Sequence, residues 1–311
     1  MFKNTIKLVT SNFANIWKLL IYKFLVLGVV FGLFCATLGY LNQLETFGAL
    51  KSSLVSFINV FNVASVPADI MANAHGLLES LVAFLSNLAE VFPFIFVYIL
   101  ALLLFVLPYL WHLGDLAVSE EVFGYMSSQT KYGLTSSFIR NLHRENAYSL
   151  TVTLMLLPAN AIFLGGVIGL VELSGFGGAW GVFAAAFVVI WTIVYLSLRT
   201  TLLSSWAGAI TTTNAKTWRG LKKALRAISR NFLMIWTTAI VFAFAFVMFS
   251  ILTGVIGCAI ILPLFCFIIS VFGLVVFFEH RGMRYYVDFD TIIQPKKLEQ
   301  TDKLSKLKYL I

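Results

Sequence analysis

The chain has 311 residues, of which 60% are hydrophobic and only 12% charged, with a formal net charge of +8. A soluble domain covers its surface with roughly 25% charged residues, so a water-soluble globule is excluded and lipid must cover what water cannot. Thirty Phe and seven Trp residues supply bulk suited to acyl chains and to the headgroup belt.

Along the chain, the first apolar run covers about Leu19–Leu41 and the second about Val91–Leu113. The third covers about Ser149–Val171 and the fourth about Trp180–Trp206. Each supplies the roughly 20 apolar residues with which a helix crosses about 30 Å of hydrocarbon. From Phe232 to Phe278 there are 47 residues without a charge. One helix of that length would measure about 70 Å, more than twice the membrane core. The stretch must therefore cross twice, with Thr253, Gly254 and Gly257 marking the turn. The predicted fold is an all-α polytopic membrane protein of six transmembrane helices, a single domain over residues 1–311. The first run is too long for the core of a cleavable signal peptide, and further runs follow it. Cys35, Cys258 and Cys266 lie in apolar stretches without metal or disulfide spacing and read as packing residues.

Of the 22 Lys and Arg residues, all but Lys51 fall on one side of this pattern. The N-terminal segment carries Lys3, Lys7, Lys18 and Lys23, and the second connection carries Lys131, Arg140 and Arg144. They crowd the fourth connection, from Lys216 to Arg230 with Arg199 nearby, and a basic tail over residues 280–311. The positive-inside rule makes that side, with both termini, cytoplasmic. The charge follows topology, so it implies anionic headgroups at the cytoplasmic face and no nucleic acid.

The connection Asn42–Glu90 is too apolar for a flexible loop. From Pro67 on, Ile70, Met71, Ala74, Leu77, Leu78, Leu81, Phe84, Leu85 and Leu88 recur at helical spacing. Pro67 suits a first turn, and a second helix over about Leu44–Phe61 precedes it. This extracytoplasmic pair must bury its stripe (Leu77, Leu78, Leu81, Leu85) against the bundle, the outer leaflet, a re-entrant position or a partner chain.

Ile6 to Trp17 aligns with Leu225 to Trp236, with identical Asn, Phe, Ile and Trp. Both are basic amphipathic stretches leading into a span, as interfacial helices do. A third candidate, around Phe138–Leu150, shares only the basic stretch and Asn146. They read either as three parallel hairpin repeats, each entered by a surface helix as in some transporters, or, more simply, as the basic interfacial start that any membrane hairpin uses. The pattern Asn-Phe-x-x-Ile-Trp ahead of a span resembles bacterial six-span families, including the membrane domain fused to some glycerophosphodiester phosphodiesterases. The resemblance covers two short segments and carries no catalytic signature. It implies a bacterial cytoplasmic membrane and a lipid-adjacent role.

Chemical motifs are few. Gly175 to Gly181 lacks the spacing and the preceding strand of a phosphate loop and reads as a turn. His112 and Asp115 lie three apart, which on a helix places them on one face as a satisfied interfacial pair. No metal-binding, nucleophile-elbow or Cys–His pattern is present, so no enzyme, metal or cofactor is expected. Glu172 and Glu279 sit at span ends, and the lack of mid-membrane carboxylates argues against an ion-coupled pump. Gly28 with Gly32, and Gly165 with Gly169, permit close helix approach within the bundle or in a homo-oligomer. Pro158 and Asn160 interrupt the third span with a freed carbonyl and a polar group, which reads as a structural kink or as a pointer to a cavity or lipid contact. Arg199 lies about 28 Å along the fourth span from its outer end, where it can snorkel to the interface. The sharper alternative turns it into a polar cavity with Thr200, Thr201, Ser204 and Ser205, paired to Asp115, Glu120 or Glu121. The functional expectation is a non-enzymatic protein handling lipid or hydrophobic cargo, or a membrane subunit of a larger complex. The alternative is a small-solute transporter or channel.

Overall fold

The computed structural model describes residues 2–63, 66–130, 133–176, 179–230, 232–288 and 291–293. Among them, five helices are long and apolar enough to cross a membrane: Phe13–Cys35, Pro93–Ser128, Leu134–Ser174, Ala179–Thr213 and Ile235–Thr253. The chain is an all-α, multi-pass membrane protein. A two-residue antiparallel pair, β1 (Tyr285–Tyr286) with β2 (Ile292–Ile293), is the departure from that class among the described residues. Residues 294–311 of the expected basic tail lie outside the described residues.

Helices α1 (Phe2–Ser11) and α2 (Phe13–Cys35) divide at Asn12, whose side-chain amide donates to the Leu8 carbonyl at 2.9 Å. A short α3 (Leu38–Leu41) leads to α4 (Glu45–Asn62) and α5 (Pro67–Val91), close to the predicted outer pair. The second span is composite. It comprises α6 (Pro93–Ala101), a π-helical turn (Leu102–Val106) and α7 (Leu107–His112). In the π turn the Leu107 N–H bonds to the Leu102 carbonyl, five residues back. The next residue, Pro108, has no N–H to continue the ordinary ladder. Then come α8 (Asp115–Ser128), α9 (Leu134–Ser174), α10 (Ala179–Thr213), α11 (Thr217–Arg230) and α12 (Phe232–Arg281). The first of the aligned segments divides at Asn12, one residue before Phe13; the corresponding Asn231 lies outside the described residues, and the third candidate runs unbroken within α9.

Helix α12 is continuous in backbone yet doubles back. The Phe242 and Phe272 rings lie 5.8 Å apart, and the Phe246 and Phe265 rings 4.7 Å apart. A straight helix would hold the first pair about 45 Å apart at about 1.5 Å per residue. The chain therefore reverses between Phe246 and Phe265, an interval that contains Thr253, Gly254 and Gly257. The side chains of residues 254–260 are outside the described set.

At the basic end, α8 is a buried core helix where the sequence suggested only a connection. Leu116, Ala117, Val118, Val122, Tyr125 and Met126 are all buried. Val118, Val122, Tyr125 and Met126 share a core with Leu8, Val275, Phe278, Tyr285 and Val287, from α1, the last turns of α12 and the chain after it, whereas Leu116 packs with Tyr148, Trp206 and Phe277. Tyr285 donates to Glu279 at 2.7 Å and accepts from the Asn4 amide at 2.8 Å, tying α1 to the end of α12. Burial, with the Glu279 carboxylate alongside, holds the Tyr285 hydroxyl well above the ordinary phenol range. Arg144 donates to the Ile210 and Ala215 carbonyls at the end of α10, where a cation meets unsatisfied carbonyls.

At the opposite end, α5 turns its stripe onto the bundle. Met71 packs with Val171 and Ala184, and the Ser174 hydroxyl reaches the Met71 carbonyl at 3.4 Å. Phe84 and Leu88 pack with Leu41, Phe47 and Ile99. Leu78 and Leu85 border these clusters and Leu77 is half-buried, but Leu81 faces away and is 38% exposed. His75 lies between Glu79 (3.7 Å) and Glu172 (3.4 Å), joining α5 to the end of α9.

Of the two expected uses of the glycine pairs, close approach inside this chain is not made. A Cβ on Gly28, Gly32, Gly165 or Gly169 would meet nothing within 4 Å, so these residues make no close helix contact in this chain. Their faces point away from neighbouring helices. The close approach is elsewhere, between α10 and α12. A Cβ on Gly273 would lie 2.3 Å from the Ser204 carbonyl oxygen, and one on Gly208 would lie 3.1 Å from the Gly273 carbonyl oxygen. In the third span it is Gly166 that makes room, for the Trp191 indole, whose N–H donates to the Phe163 carbonyl at 3.1 Å. Backbone cannot yield as a flexible side chain does, so Gly273→Ala is expected to cost about 1–3 kcal/mol or more. Gly28→Ala should leave stability within about 0.5 kcal/mol. Thermal denaturation of both variants in detergent checks the contrast.

Candidate functional site

The site begins with a break in the helix. Leu113 leaves helical geometry at ψ 90°, and Gly114 takes φ 138°, a conformation that side chains rarely adopt. A Cβ on Gly114 would sit in ordinary contact with the Tyr22 ring at 3.5 Å, so it is the backbone conformation that calls for glycine here. His112 thus ends α7 and Asp115 opens α8. Their contact, 2.8 Å between Nδ1 and Oδ2, spans a turn rather than the single helical face expected from their spacing.

Glu145 stabilises the new helix start. Its buried carboxylate accepts backbone N–H bonds from Gly114 at 3.2 Å, from Leu116 at 3.4 Å and from Ala117. A carboxylate at a helix N-terminus satisfies otherwise unpaired donors and complements the helix dipole. The Asp115 carboxylate faces Lys23 and His112 instead. Lys23, 1% exposed, approaches Asp115 Oδ1 at 3.4 Å and donates to the Trp111 carbonyl. Its ammonium also sits 4.8 Å from the Trp111 ring centroid, within cation–π range.

Beyond His112 the chain of contacts continues. Arg199 Nη2 lies 3.1 Å from His112 Nε2. A guanidinium has no acceptor, so Nε2 must accept, which leaves the ring proton on Nδ1 to donate to Asp115. Arg199 Nη1 donates to the Tyr195 hydroxyl at 3.4 Å, and that hydroxyl donates to Asn160 Oδ1. The Tyr195 ring stacks on Phe163 at 4.2 Å. A polar relay thus runs from Lys23 through Asp115, His112, Arg199 and Tyr195 to Asn160, linking α2, α8, α7, α10 and α9.

This relay borders a cavity of about 380 Å3, within the size range of small-molecule sites, about 300–1,000 Å3. Its polar lining includes His112, Asp115, Tyr148, Asn160, Arg199, Thr200 and Ser204. Leu27, Leu107, Leu203, Phe265 and Ile269 supply apolar walls. The Thr200 and Ser204 hydroxyls donate to the Ser197 and Thr201 carbonyls of their own helix at 3.0 and 3.4 Å.

The structure brings together Arg199, Thr200, Ser204 and Asn160 of the sequence candidates. Pro158 is exposed and does not line the cavity, and Thr201 and Ser205 are buried beside it. Arg199 pairs with none of the three expected carboxylates directly. Asp115 is reached through His112; Glu120 is engaged by Arg140 and Asn141; Glu121 lies 3.9 Å from Lys18. His143 is exposed, and among the described residues no group of three or more His, Cys, Asp or Glu is placed to hold a metal ion.

Lys23, Tyr148, Tyr195 and Glu145 went unassigned from sequence. Lys23 had a readable signal, since a lysine inside an apolar span is costly and needs a partner. Glu145 was hidden because α9 begins at Leu134, well before the apolar run, and so includes it in a buried helix. That also revises the expectation about carboxylates: Asp115 and Glu145 are enclosed by the bundle near its basic end. No protein-family model, curated protein or solved structure matches the chain.

Removing one member of a buried ion pair leaves the other uncompensated. Lys23→Met should therefore lose about 3–5 kcal/mol of stability. Lys23→Met combined with Asp115→Asn should lose less than the sum of the two single changes. Equal additivity in denaturation experiments would show that the pair is not coupled.

Proposed function

We propose that the chain is a six-span protein of a bacterial cytoplasmic membrane with both termini in the cytoplasm. It is a non-enzymatic protein that holds lipid or another hydrophobic cargo in the cavity beside Arg199. The observation that carries this reading is the cavity itself, apolar along its walls and polar along the relay from His112 to Asn160. Such a division suits a molecule with a polar head and an apolar body.

The sixth crossing is supported by the reversal of α12 and the apolar stretch Pro263–Glu279 after it. Orientation rests on the basic split, with Lys51 alone on the far side. On this reading α4 and α5 form an extracytoplasmic cap on the bundle, and α1 and α11 lie at the cytoplasmic interface. Helix α11 supports that placement. Leu221, Ala224 and Ala227 are buried against the bundle, while Trp218 (60%) and Leu225 (48%) are exposed among Arg219, Lys222, Lys223 and Arg226. An apolar ridge among cations fits anionic headgroups.

The small-solute pathway is a second reading, because the same cavity reaches both Asn160 and Arg199. Two experiments address these assignments. With native cysteines replaced by serine, Lys51→Cys should react with a membrane-impermeant maleimide on intact cells, and Lys222→Cys should react only after permeabilisation. Labelling of Lys222→Cys from outside would invert the topology. Leu27 is 38% exposed at the cavity lining, so Leu27→Trp can obstruct it from the rim. Leu27→Trp should lower co-purifying lipid per protein, measured by mass spectrometry after extraction. Unchanged lipid together with a solute leak in proteoliposomes that Leu27→Trp closes would replace cargo holding with transport.

A further inference from the structure

Arg199 brings a guanidinium to the cavity that no carboxylate among the described residues contacts directly; Asp115 also lines the cavity but is reached only through His112. Among the described residues no carboxylate forms an ion pair with its guanidinium; its contacts are His112 and the Tyr195 hydroxyl. Asp115 is engaged by Lys23 and His112. Glu145 faces the start of α8 and does not line the cavity. Arg199 thus has no direct carboxylate partner among the described residues, in surroundings where an unpaired charge is costly.

Tyr148 supplies an independent observation. It is fully buried, it lines the same cavity, and its hydroxyl has no hydrogen-bond partner among the described residues. Its ring is fixed edge-on against Trp206, with centroids 5.3 Å apart. A rigidly held, buried donor without an acceptor points to a ligand that provides one.

From these two features we propose that the cavity takes a monoanionic amphiphile. Its carboxylate or phosphodiester accepts from the Arg199 guanidinium and the Tyr148 hydroxyl, and its chain lies along Leu27, Leu203 and Ile269. A single negative charge gives Arg199 the direct partner it lacks, since Asp115 is engaged by Lys23 and His112 and Glu145 by the start of α8. His112 and the Tyr195 hydroxyl each take one N–H of the guanidinium and leave the others for the anion. The proposal rests on the reading that the cavity holds cargo and adds the charge and headgroup class of that cargo.

The test uses the whole chain purified in a non-ionic detergent. Binding is measured by native mass spectrometry with lysophosphatidylglycerol, which is monoanionic, and lysophosphatidylcholine of the same acyl chain, which is zwitterionic. Wild type should bind the first at least about tenfold more tightly, as expected for charge-assisted hydrogen bonds. Arg199→Gln should bring the two within about twofold of one another. Tyr148→Phe removes one oxygen and should weaken only lysophosphatidylglycerol, about threefold to tenfold, with no fall in thermal stability. A merely structural tyrosine would instead move stability and leave the preference intact.

Equal binding of the two lipids by wild type, or a preference that survives Arg199→Gln in a folded protein, would overturn the proposal. Inorganic phosphate is the third probe. Competition by phosphate as effective as that of lysophosphatidylglycerol would show a free-anion site and overturn the amphiphile assignment. Leu27→Trp separates this inference from its premise. If it weakens both lipids and they bind equally, the cavity holds cargo and only the charge class fails. If it affects neither lipid, cargo holding itself fails.

Discussion

The arrangement depends on one constraint: a carboxylate enclosed by an apolar bundle must be compensated where it stands. Asp115 meets that constraint with Lys23 on one side and His112 on the other. Each partner fixes an element. Lys23 ties α2 to the turn after α7, and His112 passes the interaction on to Arg199 of α10. Glu145 makes the turn possible by satisfying the first N–H groups of α8. Without these bonds the break at Leu113 and Gly114 would leave backbone donors unpaired inside the bundle, at a cost of about 1–3 kcal/mol each. The helix would then continue straight, and His112 and Asp115 would lose the geometry that holds Arg199.

A second constraint is steric. Helices α10 and α12 approach so closely at Gly208 and Gly273 that backbone meets backbone. Ser204 and Ser205 lie at this crossing, and Thr200 and Arg199 follow one turn away on α10. The close crossing sets where the polar face of α10 lies relative to Phe265 and Ile269 of the returning limb of α12. Cavity and crossing are thus parts of one contact: small residues bring the helices together at one level, and larger side chains hold them apart at the next.

Much of the helix layout was legible in the sequence because membrane helices are written in composition. The uncharged run from Phe232 to Phe278 required a reversal on length alone, and the ring contacts of Phe242 and Phe246 place it between Phe246 and Phe265. The α4–α5 pair was legible from spacing after Pro67, although Leu81 faces away from the packed side. Arg199, Thr200, Ser204 and Asn160 were legible as polar interruptions of apolar runs. What could not be read was which partner each found. The Arg199–His112 contact joins residues far apart in sequence, and it exists only because Gly114 bends the chain. The glycine motifs misled for a related reason. Small-xxx-small spacing identifies a face that permits close approach, but only the fold decides whether a helix arrives there, and it arrived at Gly166, Gly208 and Gly273.

The central claim is that the cavity between α2, α7, α10 and α12 is a binding site for an amphiphile and not a gap left by packing. An experimental structure in lipid nanodiscs containing phosphatidylglycerol addresses it most directly. The account predicts elongated non-protein density along Leu27, Leu203 and Ile269, ending in a headgroup within hydrogen-bond distance of Arg199 and the Tyr148 hydroxyl. A cavity collapsed onto Arg199, or filled only by water with lipid confined to the bundle's outer surface, would contradict it.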